Sequence, residues 1–360
     1  MSASSRSMVQ IRLLALAALT VALTLVVAPA RAHALSRTFF GVQAWSLPGS
    51  KDFTRIGHAR IGTFRAQINW DGVEPTPGAR NWGQVDALFT RASKSNVTVL
   101  PYLLGSPSFA ASRPPYPPMT SNGRSHWVSF VHDFVARYGR NGSFWSSHPG
   151  LRKRPPKGLQ VWNEPNFRGY WNNHPNARQY EQFVAESKLA ARSADPKIKI
   201  VLAGFPETRL GIRGTRYLKQ LYAVPGARST FDAVAVHPYA SNYRGVIGAI
   251  KRTRRTMRAH GDRRKQVWVT ELGWATGGKV SGGTRKFKTS RRGQASRLST
   301  TFRALKRYRR RYRIGVVVWF SYKDRSPMRG ERNWWAINTG LFTRRGKAKP
   351  SWRAYKRVTH

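Results

Sequence analysis

The sequence predicts an α/β fold, a single (β/α)8 barrel of the TIM type. Eight short runs rich in Val, Ile and aromatic residues recur along the chain, and each is followed by a segment with the apolar spacing of a helix. Such dense apolar runs are typical of parallel strands that are covered on both faces. Eight β-then-α units in order describe a barrel, and no glycine-rich phosphate turn follows the first run. We therefore favour the barrel over its alternative, a doubly wound sheet.

The predicted elements follow one another at regular intervals. The strands are expected at residues 38–45, 61–70, 96–104, 158–166, 197–205, 231–240, 266–275 and 315–324. The helices are expected at residues 51–60, 82–95, 124–138, 177–194, 217–224, 246–260, 294–309 and 351–357. Barrel geometry places the connections that follow strands at the C-terminal face, where the sites of barrels are built. Three of these connections are long, at residues 105–121, 276–293 and 325–350.

Residues 1–34 have the features of a secretory signal peptide. A basic start precedes an almost unbroken apolar run at residues 13–28, and two small-x-small cleavage sites follow, ending at Ala32 and Ala34. The alternative is an uncleaved membrane anchor, but a spanning helix needs about 20 apolar residues, and this run is shorter. We expect cleavage after about Ala32 or Ala34, a single domain at residues 35–360 without a transmembrane segment, and a secreted protein of the extracellular space or cell envelope.

The composition limits the chemistry of this domain. The 360 residues include no cysteine, which excludes disulfides, thiol catalysis and cysteine-based zinc sites. No His-Glu-x-x-His motif is present and the nine histidines do not form metal-ligand pairs, so the sequence implies neither a metal nor another cofactor. Acid–base chemistry must therefore draw on the 15 Asp and Glu residues.

Basic residues far outnumber acidic ones. With 64 Lys and Arg residues against 15 Asp and Glu, the formal net charge is +49. The densest basic runs, at residues 251–255, 263–265 and 303–313, lie on or beside helices of the predicted outer ring. Such a field attracts polyanions, so we expect this basic outer face to bind an anionic polymer of the cell envelope. A generally basic composition without a partner is the alternative. No nucleic-acid module is recognisable, and no specific nucleic-acid partner is expected.

The acidic residues can be sorted by their place in the predicted barrel, because residues at C-terminal strand ends point into the site. Those in or beside helices are expected to be surface charges: Asp52, Asp86, Asp133, Glu181, Glu186, Asp195 and Asp262. Asp232 begins its strand and therefore belongs to the opposite face. The candidates at or after strand ends are Asp71, Glu74, Glu164, Glu207, Glu271, Asp324 and Glu331.

Two of these candidates lie in sequence typical of a buried strand end. Glu164 falls within Gln-Val-Trp-Asn-Glu-Pro-Asn at residues 160–166, and Glu271 within Val-Trp-Val-Thr-Glu-Leu-Gly-Trp at residues 267–274. A buried carboxylate is costly unless it is paired or functional, so a structural ion pair with an arginine is the alternative for each. Two glutamates three strands apart around one mouth favour function, because opposed carboxylates are what glycosidic hydrolysis needs.

The segment Trp-Asn-Glu-Pro-Asn at residues 162–166 resembles the acid/base motif of clan A glycoside hydrolases. Members of that clan are retaining (β/α)8 barrels with the proton donor after strand four and the nucleophile after strand seven. The resemblance extends over residues 38–355. The spacing through Trp171 favours a family 39-like protein, with family 5-like cellulase relatives as the next closest. The resemblance implies that Glu164 is the acid/base and Glu271 the nucleophile.

The resemblance also implies roles for five further residues. Arg65 would keep the nucleophile ionised, and Asn163 would contact the substrate. His237 and Tyr239 would form the strand-six pair whose tyrosine bonds the nucleophile, and Trp319 would form the floor under the sugar ring. Each residue other than Asn163 has a structural alternative. It is a simple ion pair for Arg65, an ordinary core position for His237, and packing for Tyr239 and Trp319.

The function implied by the resemblance is that of an exported glycoside hydrolase. Such an enzyme cleaves O-glycosidic bonds of a polysaccharide or oligosaccharide by the retaining double-displacement mechanism, with a carbohydrate substrate and no cofactor. The alternative is a non-catalytic barrel of the cell envelope that binds carbohydrate or polyanions. The presence of both Glu164 and Glu271 favours the enzyme.

Overall fold

A computed structural model describes residues 35–360, so the predicted signal peptide lies outside the described residues. The strands of this part of the chain form one parallel sheet. They are β1 Phe40–Gln43, β2 Thr63–Asn69, β3 Thr98–Leu104, β4 Gly158–Val161, β5 Lys199–Val201, β6 Phe205–Pro206, β7 Ala233–His237, β8 Gln266–Val269 and β9 Ile314–Phe320. Because β5 pairs with both β4 and β7, the sheet closes into a barrel. The predicted (β/α)8 barrel is confirmed.

The fifth barrel position is the place where a predicted strand is divided. One strand is expected at residues 197–205, but the structure has β5 and the two-residue β6, which both pair with β7. The segment between them passes close to His237, since a side-chain carbon added to Gly204 would lie 2.0 Å from the imidazole Nε2. Only glycine leaves room for the imidazole here, and the ladder is interrupted at this close approach.

Helices follow the strands and form the outer ring. They are Ser50–His58, Trp70–Val73, Gly83–Lys94, Ser121–Tyr138, Ser143–Ser146, Ala177–Ala194, Gly214–Tyr222, Tyr243–Ala259, Arg291–Tyr312 and Pro350–Thr359. All eight predicted helices are present, with ends within three residues of the expected positions. Within residues 35–360, no helix combines the length and the apolarity that crossing a membrane requires.

Side-chain caps define where several of these helices begin. Asn176, Asn242 and Ser290 each accept hydrogen bonds from backbone amides of the following first turn, which lack partners within the helix. Pro350 occupies the first position of the last helix, where no backbone donor is needed. The loops of the C-terminal face therefore pass into their helices at fixed residues.

The barrel interior is filled by alternate residues of its strands. A buried cluster at its centre comprises Leu100, Val201, Ala233, Ala235, Trp268, Val316 and Val318. Successive side chains of a strand point to opposite faces, so Phe320 shares the inward face with Val316 and Val318. Trp319 points outward, and its ring lies 6.1 Å from that of Phe302 on the helix Arg291–Tyr312.

A buried ion pair joins the two ends of the connection after β9, and a hydrogen bond links it to the connection after β8. The Nζ atom of Lys349 lies 2.7 Å from a carboxylate oxygen of Asp324, and it also donates to Thr276 at 2.8 Å. Lys349 is only 2% exposed. Because a buried charge without its partner is costly, this pair fixes the connection after β9, which carries Trp334 and Trp335 to the mouth of the barrel.

Candidate active site

Charged side chains converge at the C-terminal mouth of the barrel from four strand positions. Arg65 lies on β2 and His237 ends β7, while Glu164 and Glu271 lie just beyond β4 and β8. Parallel strands bring their C-terminal ends to one rim, so residues as far apart as Arg65 and Glu271, 206 positions along the chain, make direct contact.

Arg65 is completely buried, and its guanidinium group organises the site. Its nitrogens donate to side-chain oxygens of Gln43, Gln160, Asn163 and Glu271. The contact between Nη1 and Oε1 of Glu271 measures 2.6 Å, and the guanidinium carbon lies 3.8 Å from the ring centre of Tyr102. A buried guanidinium needs this many acceptors, and their fixed positions orient the Glu271 carboxylate.

The Glu271 carboxylate has a partner on each oxygen. Oε1 accepts from Arg65, and Oε2 accepts from the hydroxyl of Tyr239 at 3.0 Å. Burial alone would raise the pKa of Glu271, but the charges of His237 and Arg65, with these two hydrogen bonds, hold that pKa below its ordinary value. Burial also raises the pKa of Tyr239 well above its ordinary value, so its hydroxyl remains a neutral donor. Glu271 is therefore ionised at neutral pH.

Glu164 lies across the mouth and has fewer partners. Its Oε1 lies 2.6 Å from Nδ1 of His237, whose Nε2 lies 3.1 Å from Thr270 Oγ1. Burial raises the pKa of Glu164; the contact with His237 opposes this effect, and the negative charge of Glu271 adds to it. The net pKa shift is upward, so Glu164 retains its proton to a higher pH than Glu271 does.

The backbone before Glu164 adopts an unusual conformation. Trp162 and Glu164 have positive φ values of 67° and 43°. Residues other than glycine rarely occupy this region, and such positions are concentrated at active sites. The indole of Trp162 donates to the carbonyl of Tyr170 at 2.9 Å, which anchors the turn. The turn after β4 therefore directs Glu164 into the mouth.

The two carboxylates and the imidazole are close enough to act together. One oxygen of each glutamate and one nitrogen of His237 lie within 4.8 Å of one another. Nδ1 of His237 is 2.6 Å from Glu164 and 3.7 Å from Glu271. Three such atoms are possible metal ligands. Arg65 disfavours that use, because its buried positive charge already binds Glu271 and would repel a cation. The two carboxylates and the imidazole are better suited to acid–base chemistry.

A cavity of about 220 Å³ opens above the two glutamates. Its lining includes Gln43, Trp45, Gln67, Tyr102, Asn163, Phe167, Tyr170, Tyr239, Phe320, Trp334 and Trp335 beside Glu164 and Glu271. Aromatic faces and amide groups suit the rings and hydroxyls of sugars. A larger cavity of about 370 Å³ adjoins it at Trp45 and Gln67 but includes neither glutamate in its lining.

The structure brings four of the five implied auxiliary residues to the glutamates. Arg65, His237 and Tyr239 each contact a glutamate directly, and Asn163 accepts from Arg65 at 2.9 Å beside the cavity. These contacts agree with the implied roles, which remain predictions.

Among the polar cavity residues that are absent from the sequence-based set of site residues, three lie on the first three strands. They are Gln43, Gln67 and Tyr102, which line the cavity from the first three strands. The hydroxyl of Tyr102 donates to Gln67 at 2.8 Å and accepts from Gln43 at 3.2 Å. A signal for Gln67 was available, because it follows Arg65 by two positions and so shares its face of β2.

The prediction that Trp319 forms the floor of the site is wrong. Its side chain is completely buried, packs on Phe302 and Trp274, and donates to the carbonyl of Thr339 at 3.2 Å. The next residue, Phe320, lines the cavity and lies 4.9 Å from the ring of Trp45. The alternation of side chains along β9 explains the difference, since adjacent residues face opposite sides of the barrel wall.

Most of the other strand-end acids are held in ion pairs away from the two glutamates. Glu74 is completely buried and accepts from Arg80 and from the indole of Trp70, both at 2.9 Å. The remaining contacts join Glu207 to Thr215, Asp324 to Lys349 and Glu331 to Arg325. Each of these acids has a structural partner, and Asp71, which accepts from the amide of Gly72 at 2.9 Å, does not line the cavity. Glu164 and Glu271 are therefore the pair that faces the cavity.

Three acids that are expected at the surface are instead buried. Glu181, Asp195 and Asp262 are 7%, 4% and 6% exposed. Asp195 is bound by Arg140 and Asp262 by Lys265. The expectation of surface charges is wrong for these residues because cationic partners, or for Glu181 the side chain of Thr230, compensate their burial.

A parallel (β/α)8 barrel with two opposed glutamates just beyond its fourth and seventh strand positions is the framework of a glycosidase. The chain belongs to the glycosyl hydrolase catalytic core family, whose model matches residues 118–351. The resemblance to clan A barrels that the motifs indicate is confirmed. A search of curated proteins gives no match.

Solved structures share the fold at low sequence identity. A family 39 glycoside hydrolase from the gut symbiont Bacteroides cellulosilyticus is 18% identical, with a TM-score of 0.63 over 89% of this chain and 63% of that protein. A monomeric β-xylosidase from Caulobacter crescentus is 18% identical, with a TM-score of 0.62 over 88% and 67%. A GH5 protein from Bifidobacterium longum, in complex with Manβ1-4GlcNAc, is 14% identical, with a TM-score of 0.64 over 86% and 72%. The chain thus spans less than two thirds of the first of these proteins.

Proposed function

We propose that the chain is a retaining glycosidase in which Glu271 is the nucleophile and Glu164 the acid/base. The observation that carries the proposal is the opposite direction of the two pKa shifts in glutamates whose carboxylate oxygens lie within 4.8 Å. Retaining enzymes separate their carboxyl groups by about 5–5.5 Å, whereas inverting enzymes leave about 6.5–9.5 Å for a water molecule. The short separation supports direct attack by Glu271.

The first step forms a covalent glycosyl-enzyme. The ionised Glu271 attacks the anomeric carbon while the bond from that carbon to the leaving oxygen breaks, and Glu164 gives its proton to that oxygen. Arg65 and Tyr239 hold the attacking carboxylate in a fixed orientation, which lowers the entropic part of the barrier.

The second step releases the sugar with the reverse proton transfer. Once Glu271 is an ester it carries no charge, so the repulsion that raised the pKa of Glu164 is removed. Glu164, now ionised, takes a proton from water as the oxygen of that water bonds to the anomeric carbon. The bond to Glu271 breaks, and both glutamates return to their starting states. The same group thus serves as acid and then as base.

The cavity supports a neutral sugar at the reacting position. The charge of Glu271 is already neutralised by Arg65, and Glu164 has a raised pKa that favours its neutral form. The rest of the lining is aromatic or amide in character. The structural neighbours described as a β-xylosidase and as a complex with Manβ1-4GlcNAc favour a β-linked glycoside as the substrate class.

We also propose that the protein is exported to the extracellular space or cell envelope. Support comes from the apolar run at residues 13–28 and the small-x-small sites that end at Ala32 and Ala34. The N-terminal sequence of the protein recovered from its native host tests this proposal. A start at or near residue 33 or 35 is expected, and a native protein that begins at Met1 would contradict it.

Trapping with activated 2-deoxy-2-fluoro glycosides tests the assignment of the nucleophile. A panel of different sugars is incubated with the protein, and intact mass followed by peptide mapping locates the adduct. We expect one sugar to accumulate on Glu271, because the fluorine slows both steps by destabilising their oxocarbenium-like transition states, whereas the activated leaving group restores the rate of the first step only. The sugar that reacts also identifies the substrate class.

Two variants serve as controls for the trapping experiment. Glu271→Gln should not be labelled. Glu207→Gln changes a strand-end acid that contacts Thr215 rather than the cavity glutamates, so it should be labelled like the wild type. An adduct on Glu164, or on a residue outside the cavity, would contradict the proposed roles. A protein that binds sugars but is labelled by none of the panel would favour the non-catalytic barrel.

A further inference from the structure

Arginines crowd the base of the barrel, on the side opposite the mouth. The helix Tyr243–Ala259 precedes β8 and the helix Arg291–Tyr312 precedes β9, so both helices end beside the N-terminal ends of the strands. Exposed arginines accumulate at the C-terminal ends of these two helices and in the segment between the helix Tyr243–Ala259 and β8. The basal arginine cluster consists of Arg255, Arg258, Arg263, Arg264, Arg310, Arg311 and Arg313.

Backbone carbonyls join the parts of the basal arginine cluster. Arg258 donates to the carbonyl of Arg311 at 3.5 Å, and Arg313 donates to that of Arg264 at 2.7 Å. The buried Arg254 donates to the carbonyl of Lys265, in the same segment as Arg264, at 2.7 Å. Burial and the charges of Arg258 and Arg313 lower the pKa of Arg254, as expected in a strongly positive surrounding.

Several arginines elsewhere on the outer ring are paired with carboxylates. Arg137 reaches both oxygens of Asp86 on the neighbouring helix, at 2.9 and 2.6 Å. Arg192 reaches both oxygens of Asp232 at 2.9 Å. These pairs, of which that of Arg137 is bidentate, join neighbouring elements of the ring and neutralise the charge between them.

The basal arginine cluster lacks such carboxylates. The helices Tyr243–Ala259 and Arg291–Tyr312 contain no Asp or Glu, and neither does the last helix, Pro350–Thr359, which packs beside Arg291–Tyr312. Asp262 is the acid nearest in sequence, but it is buried and already bound by Lys265. The guanidinium groups of the cluster therefore face solvent without carboxylate neutralisation from their own helices.

We propose that the basal arginine cluster binds an acidic polysaccharide, a sugar polymer with carboxylate groups, which supplies the carboxylates that these helices lack. Guanidinium groups pair bidentately with carboxylates, as Arg137 does within this molecule. A nucleic acid would find phosphate contacts but limited base stacking, because Tyr312 is buried and its neighbour Tyr308 is only partly exposed. Since the cluster faces away from the mouth, a bound polymer leaves the cavity open.

Affinity for polygalacturonate, measured on the full chain at ionic strengths of about 0.02 and 0.15 M, tests the proposal. The cluster variant changes Arg255, Arg258, Arg263, Arg264, Arg310 and Arg311 to Gln. Its affinity should fall by about tenfold or more at the lower ionic strength, because the contacts between the replaced arginines and the carboxylates of the polymer are lost. The wild type should bind more weakly at the higher ionic strength for the same reason.

A matched control removes the same charge elsewhere. It changes six exposed basic residues of other parts of the surface to Gln, namely Lys51, Lys94, Arg178, Arg209, Arg216 and Lys219. Its affinity should fall by less than about threefold, since only the long-range field is reduced. Equal losses in the two variants would mean that the total charge, not the cluster, attracts the polymer, and would overturn the proposal.

Other polyanions test the chemistry of the occupant. Duplex DNA or polyphosphate that binds more tightly than polygalacturonate at equal charge, and loses that affinity in the cluster variant, would overturn the assignment to a carboxylate polymer. Turnover of a neutral aryl glycoside should be unchanged in the cluster variant, so failure here is distinct from failure of the proposed catalytic roles. If the sixfold variant does not fold, the double variant with Arg310→Gln and Arg311→Gln should still lose affinity relative to Lys51→Gln with Lys94→Gln.

Discussion

The segments after β8 and β4 each present one glutamate to the same cavity, yet they shift the pKa values of the two glutamates in opposite directions. After β8, Glu271 is held by a fully buried arginine and by a tyrosine hydroxyl, and its pKa is lowered. After β4, Glu164 lies on a turn with positive φ, contacts an imidazole, and has a raised pKa. Burial acts in the same direction on both glutamates, so the difference comes from their partners.

This difference shows how one residue type can supply both a nucleophile and an acid. A carboxylate that accepts from a guanidinium and a phenol keeps its charge in a buried place, whereas one that faces another carboxylate keeps its proton. The partners of Glu271 come from β2 and from just beyond β7, so the barrel itself sets the contrast. Substitutions of either glutamate or of its partners should therefore disturb this contrast, with effects that can be ranked by size.

The largest effect is expected from Glu271→Gln. The amide keeps an oxygen for Arg65 but cannot attack the anomeric carbon, so hydrolysis of an activated aryl glycoside should fall to the background rate. Steady-state turnover measures this, with Glu207→Gln as the control that should retain wild-type activity. Activity like that of the wild type in Glu271→Gln would remove Glu271 from the mechanism.

A smaller loss is expected from Glu164→Ala. Turnover should fall by roughly 10²–10⁴-fold, the usual contribution of general acid–base catalysis, and azide should restore part of it on substrates with a good leaving group. The raised pKa of Glu164 means that its active, protonated form is lost as the pH rises through that pKa. The alkaline limb of kcat/KM should therefore disappear in this variant. An unchanged limb, with no azide effect, would assign the acid to another group.

Arg65→Gln should reduce the contrast between the two glutamates. Without the guanidinium the pKa of Glu271 rises, so the acid limb of kcat/KM should move to higher pH, whereas Arg65→Lys should move it less. The variant should also lose about 3–5 kcal/mol of unfolding free energy at neutral pH, the usual cost of breaking a buried pair.

The pH dependence of that stability loss has a defined sign. The lowered pKa of Glu271 stabilises the fold above the pKa of an unfolded glutamate, and this contribution is lost as the pH falls through the lower, folded value. The deficit of Arg65→Gln in urea unfolding should therefore be larger near neutral pH than in acid. A deficit that grows towards acid would contradict the pairing.

Tyr239→Phe should have the smallest effect of these changes. It removes one hydrogen bond to Glu271 Oε2 and leaves Arg65 in place, so kcat/KM should fall by about tenfold, in line with the loss of one hydrogen bond to a charged group. The acid limb should shift upward by less than in Arg65→Gln. A shift to lower pH, or one larger than that of Arg65→Gln, would reverse the relative importance of the two partners.

Much of the fold could be predicted from the sequence because its signals are periodic. Eight apolar runs and eight amphipathic segments define the barrel, and Glu164 and Glu271 are recognisable because each lies near the end of a strand-like run that contains Val and Trp. The break in the fifth strand is less visible, since it depends on the imidazole of His237 beside Gly204 in the folded barrel.

The error at Trp319 has a physical origin. All but one of the residues of β9 are buried, because one face packs inside the barrel and the other against helices. An apolar run of this kind does not reveal which residues face inward. A comparison by residue type alone therefore assigns the floor of the site to Trp319, although Phe320 lines the cavity. The buried acids were missed for a related reason, since the partner of Asp195, Arg140, lies 55 positions away.

The stereochemistry of the first-formed product tests the central claim most directly. Proton NMR during hydrolysis of a suitable β-glycoside would resolve the anomeric signal of the released sugar before it equilibrates. Double displacement through Glu271 predicts that the β-anomer appears first. First appearance of the α-anomer would mean that water attacks the substrate directly, with Glu271 as its base, and would contradict the proposed nucleophile.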